Sequence, residues 1–375
     1  QLESSGEPMT KSRDSNTLQL SRRRFLGTTA AGVAAAALPA IPALAQSKDL
    51  VVGNWGGDWN DRVVRAFEKP LLEDKGYKIV RELSQAPERK TKLVAEKRLP
   101  RGTLDIAHLT DADAYEMDQQ EVLEKLDTSK MPNFKHVREN LRSPYFMPWV
   151  YGGVVILYNP KKISEPPTSF ADLWNPKYAG RVGVIVADVT DEAQVRVGVI
   201  DQIYFNYIYL AALAAGGTLK DVKPGLEKLK QLKVDSKPRI YPAHQQLAAA
   251  FASEEIWISA NYTARALQWE NDGLPVKLAH PKEGAIAITF GVGIPRKARN
   301  KDAAYAYLDA MLDPGVMAEM AKVTYYAPAV DNASLTPELS KRIDFTPEQV
   351  SKLHFVDYPY AAKNSAAWLE WWNKE

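Results

Sequence analysis

Cysteine is absent from this sequence of 375 residues. Without a thiol there is no disulfide, no thiolate metal site, no cysteine nucleophile, no iron–sulfur cluster and no cysteine to carry a lipid anchor. An excess of either charge is missing too: 48 basic against 46 acidic side chains give a formal net charge of +2. That balance supplies no electrostatic footprint for nucleic acid or for an anionic membrane surface. Histidine is scarce. The five residues His108, His136, His244, His280 and His354 are scattered, with no pair at metal-ligand spacing; His136 and Glu139 are expected to share a helix face as a surface pair. No G-x-S-x-G elbow, G-x-G-x-x-G turn, P-loop or H-E-x-x-H helix occurs, so no catalytic constellation is expected and no metal or cofactor is called for. What is present, 45% apolar and 25% charged residues, is the profile of a globular chain of about two domains.

The first 45 residues are set apart from that profile. Arg22-Arg23-Arg24-Phe25-Leu26 precedes an alanine-rich stretch ending Ala43-Leu44-Ala45, a basic start, an apolar middle and a small-x-small site. The paired arginines before Phe-Leu resemble the twin-arginine class of export signals. A membrane anchor fits less well, because Gly27, Thr28, Thr29, Pro39 and Pro42 dilute the segment. Met9 is the expected first translated residue. Without residues 1–45 the basic and acidic side chains are equal in number. The expected mature protein is unlipidated and periplasmic, cleaved near Ala45 and exported by the twin-arginine translocase.

From Leu50 to Trp55 an apolar strand ends in a loop at Gly56-Gly57, and a helix with Trp59, Val63, Phe67 and Leu71 at helical spacing follows, with Asp58 or Asn60 as its cap. A second strand is predicted over 77–83, a helix over 90–98 and a third strand over 105–109. This alternation implies a parallel sheet, with ligands at the carboxyl ends of its strands. Val150 to Tyr158 is a long apolar run broken by Gly152-Gly153, the expected crossing from one domain to the next; Ile286 to Pro295 is the return strand. Between them the pattern predicts a capped helix at Pro166–Trp174, a strand at 182–186, an aromatic-rich helix at 202–215, a helix at 226–232, a strand at 256–259 and a helix at 262–269. Helices at 303–312 and 316–323 follow. Trp368, Trp371 and Trp372 are the expected apolar face of a C-terminal helix docking on the second domain.

Several of these segments together resemble the spermidine/putrescine-binding (polyamine) family of periplasmic solute-binding proteins of ABC transporters, within bacterial extracellular solute-binding protein family 1. The resemblance rests on Asn54-Trp55, on Gly153 to Pro160, on Ser169 to Gly180, on Pro281-Lys282-Glu283-Gly284 and on Gly291 to Lys301, in the family's order. It implies the α/β type II periplasmic binding protein fold, two α/β lobes with mixed sheets joined by crossing hinge strands. Lobe one would be residues 46–149 plus 287–335, lobe two residues 150–286 plus 336–375. The implied function is capture of a small nitrogenous solute by hinge closure and delivery to an ABC permease, with the chain a monomer and not an enzyme.

Carried over position by position, the ligand site implied by the resemblance comprises Trp55, Gly57, Asp58, Thr110, Asp111, Asp188, Asp191, Asn261, Tyr262, Thr289, Phe290 and Tyr325. The family's hinge tryptophan and aspartate become Ile288 and Phe290. Losing that carboxylate removes the partner of one ammonium group, and an unpaired buried charge is costly. The resemblance implies a polyamine such as putrescine or spermidine. The lost carboxylate shifts the expectation to fewer positive charges or a shorter span, a putrescine-like solute or a zwitterion such as γ-aminobutyrate whose carboxylate Arg196 and Arg265 can hold. Adjacent Tyr325-Tyr326 leave a ferric-iron-binding protein of the same fold as an alternative, and a twin-arginine-exported enzyme as a more distant one.

Overall fold

The computed structural model describes residues 47–185, 206–235, 237–241 and 244–374. The expected leader with its cleavage site, and Asp188, Asp191 and Arg196, lie outside the described residues. β1 (Asp49–Asn54) buries Leu50 and Val52 between two neighbours, β2 (Lys78–Leu83) and β3 (Ile106–Thr110), and runs parallel to both. Parallel strands cannot be joined by a tight turn, so helices make the crossovers. After β1 the chain is α-helical over Asp58–Val63, passes through a π turn at Val64–Glu68 and finishes over Lys69–Leu71. After β2 comes the helix Ala86–Glu96, whose start is fixed by a reciprocal capping box between Gln85 and Glu88.

β4 (Met147–Tyr158) is the axis of the sheet. All twelve of its residues are buried, which its unbroken apolar run foretold. β5 (Val182–Ile185), β6 (Arg239–Tyr241), β7 (Ile258–Tyr262), β8 (Lys277–Ala279), β9 (Ile286–Gly293) and β10 (Ala327–Pro328) complete a sheet of path β2-β1-β3-β9-β4-β7-β5-β6, with β8 and β10 also paired to β4. At one end β1, β2 and β3 are parallel and β9 is reversed against β3; at the other β5, β6 and β7 are parallel and β4 is reversed against β7. The two expected mixed sheets are thus joined into one, because β4 and β9 pair with each other from Met147–Val292 to Val154–Ile286.

β4 changes partners at Val154, pairing with β9 before it and with β7 from it onward. Gly152 and Gly153 precede that switch because nothing larger fits. A Cβ on Gly153 would lie 2.9 Å from the Cβ of Ala285, and one on Gly152 2.9 Å from Thr263 Oγ1. Trp149, fully buried on β4, donates its indole N–H to the carbonyl of Met311 at 2.9 Å, tying the sheet to the helix Lys301–Met311. The C-terminal helix Tyr358–Lys374 docks as expected: Trp368 is buried edge-on against Tyr209 of the helix Asn206–Ala214, 6.0 Å between ring centres. No helix among the described residues is long and apolar enough to cross a membrane.

Two local expectations are corrected. Neither Asp58 nor Asn60 caps the first helix: its cap is Gly57 at φ +68°, a left-handed conformation glycine adopts without strain, and Asp58 instead pairs with Arg62 one turn on, at 3.2 Å. His136 and Glu139 share no helix face. They fall in successive 3₁₀ turns, Pro132–His136 and Glu139–Leu141, and His136 Nδ1 lies 3.2 Å from an Asp331 carboxylate oxygen.

Candidate functional site

Phe290, half-buried on β9, is the centre of an aromatic group drawn from four parts of the chain. Its ring centre lies 5.1 Å from Tyr326, 5.8 Å from Trp55, 6.0 Å from Trp59 and 6.1 Å from Tyr262. Each ring is positioned by a strand or helix end. Trp55 follows the carboxyl end of β1, Trp59 lies in the first turn of the next helix, Tyr262 ends β7, and Tyr326 follows the helix Pro314–Thr324. The Trp55–Phe290 and Tyr262–Phe290 pairs meet edge to face, the arrangement that ring quadrupoles favour. Trp55 and Trp59 are half-buried, so part of each ring is open to a solute.

Cations flank the rings. The Arg89 guanidinium stands 4.9 Å from the centre of the Trp55 indole. Arg265, on the helix Thr263–Asn271, acts on Tyr262, Tyr326 and His244, and its side chain is fixed by Nη1 donating to Gln268 at 3.0 Å. Its buried Nε has no partner among the described residues. Burial, with Tyr326, Asp111 and Asp113 nearby, holds the Tyr262 phenol well above its usual range, and burial pushes Tyr326 up to about 12, with Arg265 pulling each back. Burial and Arg265 hold His244 down to about 3, so its imidazole is neutral. Asn261, fully buried on β7, links to that imidazole at 3.2 Å and accepts the Tyr262 backbone N–H at 2.8 Å.

The opposite face of β9 differs. Thr289 points away from the rings, as strand alternation requires, and lines a cavity of about 310 Å3 together with Asp111, Tyr115, Asp118, Tyr358 and neighbouring residues. Asp111 opens the helix Asp111–Gln119, where burial pushes its carboxyl up to about 7; hydrogen bonds from the Tyr358 hydroxyl and the backbone N–H groups of Ala112 and Thr289 pull the other way. Tyr358 also stacks on Tyr115 at 5.7 Å.

The expected residues therefore divide. Trp55, Tyr262 and Phe290 come together, with Asn261 immediately behind Tyr262. Thr110 lies opposite Phe290 in the β3–β9 register, but its hydroxyl is spent as a helix cap, accepting from the Asp113 N–H at 3.1 Å and bonding to its carboxylate at 2.8 Å. Asp111 accepts the Thr289 backbone N–H and lines the same cavity, and it also acts electrostatically on Tyr262 of the ring group. Gly57 and Asp58 are exposed at the start of the helix after β1. Tyr325 takes the left-handed cap of its helix at φ 60° and turns to Asn271, which bonds its hydroxyl, and to Arg342, 5.4 Å from its ring centre. Its neighbour Tyr326 joins the rings instead, so the two tyrosines do not converge on one point. Trp59, Tyr326, Arg89 and His244 stand at this candidate site although the ligand set implied by the resemblance does not include them; Tyr326 enters only beside Tyr325 in the iron alternative. Trp59 was legible only as a helix-face apolar residue, Tyr326 was one position from the expected tyrosine, and Arg89 and His244 carried no local signal.

The model of the bacterial extracellular solute-binding protein family matches residues 62–347, and the chain belongs to that family. Among curated relatives, the putrescine-binding periplasmic protein SpuD of Pseudomonas aeruginosa is 26% identical over 94% of this chain and 98% of its own length. The spermidine/putrescine-binding periplasmic protein of Salmonella typhimurium is 25% identical, covering 78% of this chain and 79% of the relative. A solved ABC transporter substrate-binding protein from Bradyrhizobium japonicum superposes with a TM-score of 0.73 at 19% identity, covering 87% of this chain and 98% of that one. The fold is the type II periplasmic binding protein fold, and the chain is a bacterial extracellular solute-binding protein whose curated relatives are periplasmic binding proteins.

Proposed function

We propose that this protein captures a small nitrogenous solute against the Phe290 rings and hands it to a membrane permease. The favoured solute is an amino-acid-like zwitterion of the γ-aminobutyrate kind. One observation carries the choice: Arg265, whose buried Nε has no partner among the described residues, acts on Tyr262 and Tyr326 of the ring group, while Asp111, the described carboxylate that acts most on Tyr262, is already engaged by Tyr358 and the Thr289 backbone N–H and has its carboxyl pushed up to about 7 by burial. A zwitterion satisfies Arg265 with its carboxylate and lays its methylenes on the rings. A polyamine brings two or more ammonium groups, each needing a partner once buried. Asp188 and Asp191 are proposed as the partners of the single ammonium. The second reading, a putrescine- or spermidine-like solute, is favoured by the names of the relatives, which extend over most of the chain.

Binding is proposed to proceed by closure of two lobes, residues 46–149 with 287–335 and residues 150–286 with 336–375, about β4 and β9. The change of partners along β4 at Val154 supports that hinge. The permease then reads the closed shape, which solute stabilises by binding it better than the open one. We further propose that the protein reaches the periplasm through the twin-arginine translocase, is cleaved near Ala45 without a lipid anchor and works as a monomer. A thermal-shift panel of γ-aminobutyrate, putrescine, spermidine and ferric salts tests the solute class. A solute at 100 times its dissociation constant stabilises the native state by roughly 2.7 kcal/mol. The expected result is a shift with γ-aminobutyrate that exceeds those with both polyamines; a larger shift with spermidine overturns the zwitterion, and a shift with ferric ion alone overturns the organic solute.

A further inference from the structure

We propose that Arg89 sets the charge selectivity of the solute site, its guanidinium behind Trp55 excluding a second ammonium group from that wall. This rests on the reading that Trp55 and the Phe290 rings contact the solute.

The position of Arg89 is built from several elements at once. It is almost fully buried, and its stem passes β1 at Gly53, where a Cβ would lie 2.8 Å from Arg89 Cδ. Any other residue at position 53 displaces it. Nε donates to the His108 carbonyl at 3.0 Å and Nη1 to the Ser84 carbonyl at 2.9 Å; Nη2 has no partner among the described residues. All three bonded acceptors, the two carbonyls and the Ser84 hydroxyl at 3.4 Å from Nη1, are neutral, and no described carboxylate forms an ion pair with the group. Its charge is offset only at a distance by Asp113, Glu82 and Glu88. Burial lowers its pKa to about 10, which leaves it fully charged at neutral pH. His108, whose ring stands 6.2 Å from Trp55, is kept neutral by burial and by Arg89, so of these two groups beside the indole only Arg89 carries a charge.

That charge already uses the indole as a cation–π partner from one side. A solute ammonium brought to Trp55 would face a like charge across the thickness of one ring, in surroundings where solvent and salt screen poorly. A diamine carries an ammonium group at each end, so one of them meets Trp55 when its chain lies along the rings. A zwitterion of the same length places a carboxylate there, which the same charge attracts.

Isothermal titration of γ-aminobutyrate and putrescine, which share a four-carbon span, tests this on the wild-type protein, Arg89→Met and Arg89→Lys. The expected wild type prefers γ-aminobutyrate at least tenfold. Arg89→Met raises the affinity for putrescine at least tenfold relative to γ-aminobutyrate, and Arg89→Lys, which keeps the charge, preserves the wild-type ratio. In the wild type alone, n-butylamine binds more tightly than putrescine, a comparison that holds even if Arg89→Met does not fold. Putrescine binding the wild type as tightly as n-butylamine overturns the proposal, as does an affinity ratio that Arg89→Met leaves unchanged while Trp55→Ala abolishes binding. Binding that ignores Trp55→Ala overturns the site reading and this inference with it.

Discussion

The two faces of β9 make the most instructive comparison in the molecule. Phe290 and Thr289 are neighbours, yet one faces rings flanked by two arginines and the other a cavity holding carboxylates. A polyamine site needs aromatic faces and carboxylates on the same side of the strand, so that each ammonium has a wall to stack on and an anion to pair with. Among the described residues the carboxylates that act on the ring group are already engaged: Asp111, which acts on Tyr262, accepts from Tyr358 and backbone N–H groups, Asp113 pairs with Lys90, and the rings have Arg89 and Arg265 beside them. Three of the rings expected at the solute, Trp55, Tyr262 and Phe290, lie together, with two arginines beside them.

The largest expected effect lies in contrasting the two faces directly. Phe290→Ala should weaken solute binding about 100-fold, close to 2.7 kcal/mol, by removing the ring that touches four others. Thr289→Val, next in sequence, should change affinity less than threefold. Calorimetry on the pair would break the comparison if Thr289→Val proved the more damaging.

The next effect is one of stability and has a definite sign. Asp111 carries a carboxyl raised to about 7 from its ordinary value near 4. Over that window the folded protein holds a proton the unfolded chain does not, so this group makes stability fall as pH rises from about 4 through 7. Asp111→Asn should remove that decline, leaving the variant more stable than the wild type at pH 8 by on the order of 4 kcal/mol. Denaturant melts at pH 4 and pH 8 check it; parallel profiles would mean that Asp111 is ionised freely, and the cavity face would then be more polar than described.

The smallest effect concerns Asp58. Exposed and paired with Arg62, it should behave as a surface ion pair. Asp58→Asn is expected to cost under about 0.5 kcal/mol and to leave solute affinity within twofold. A tenfold loss would place this carboxylate at the solute after all and weaken the contrast between the faces.

Much of the fold was legible because burial on both faces leaves an apolar run that survives in one sequence. β1, β3, β4 and β9 announced themselves this way, as did the crossing at Gly152-Gly153. The helix expected from Lys90 begins at Ala86, because Pro87 and the Gln85–Glu88 capping box start it earlier than its apolar spacing shows. In the site, Trp55, Tyr262 and Phe290 were legible from strand ends. Tyr326 was not, since only the left-handed turn at Tyr325 decides which of two adjacent tyrosines faces inward. Arg89 was invisible for a different reason: its place depends on room left by Gly53, which lies 36 positions away in the chain.

A crystal structure with γ-aminobutyrate bound tests the central claim most directly. The account predicts the solute on the Phe290 side of β9, its methylenes against Trp55 and Phe290 and its carboxylate on Arg265. A solute seated instead in the cavity between Asp111 and Tyr358 would contradict it.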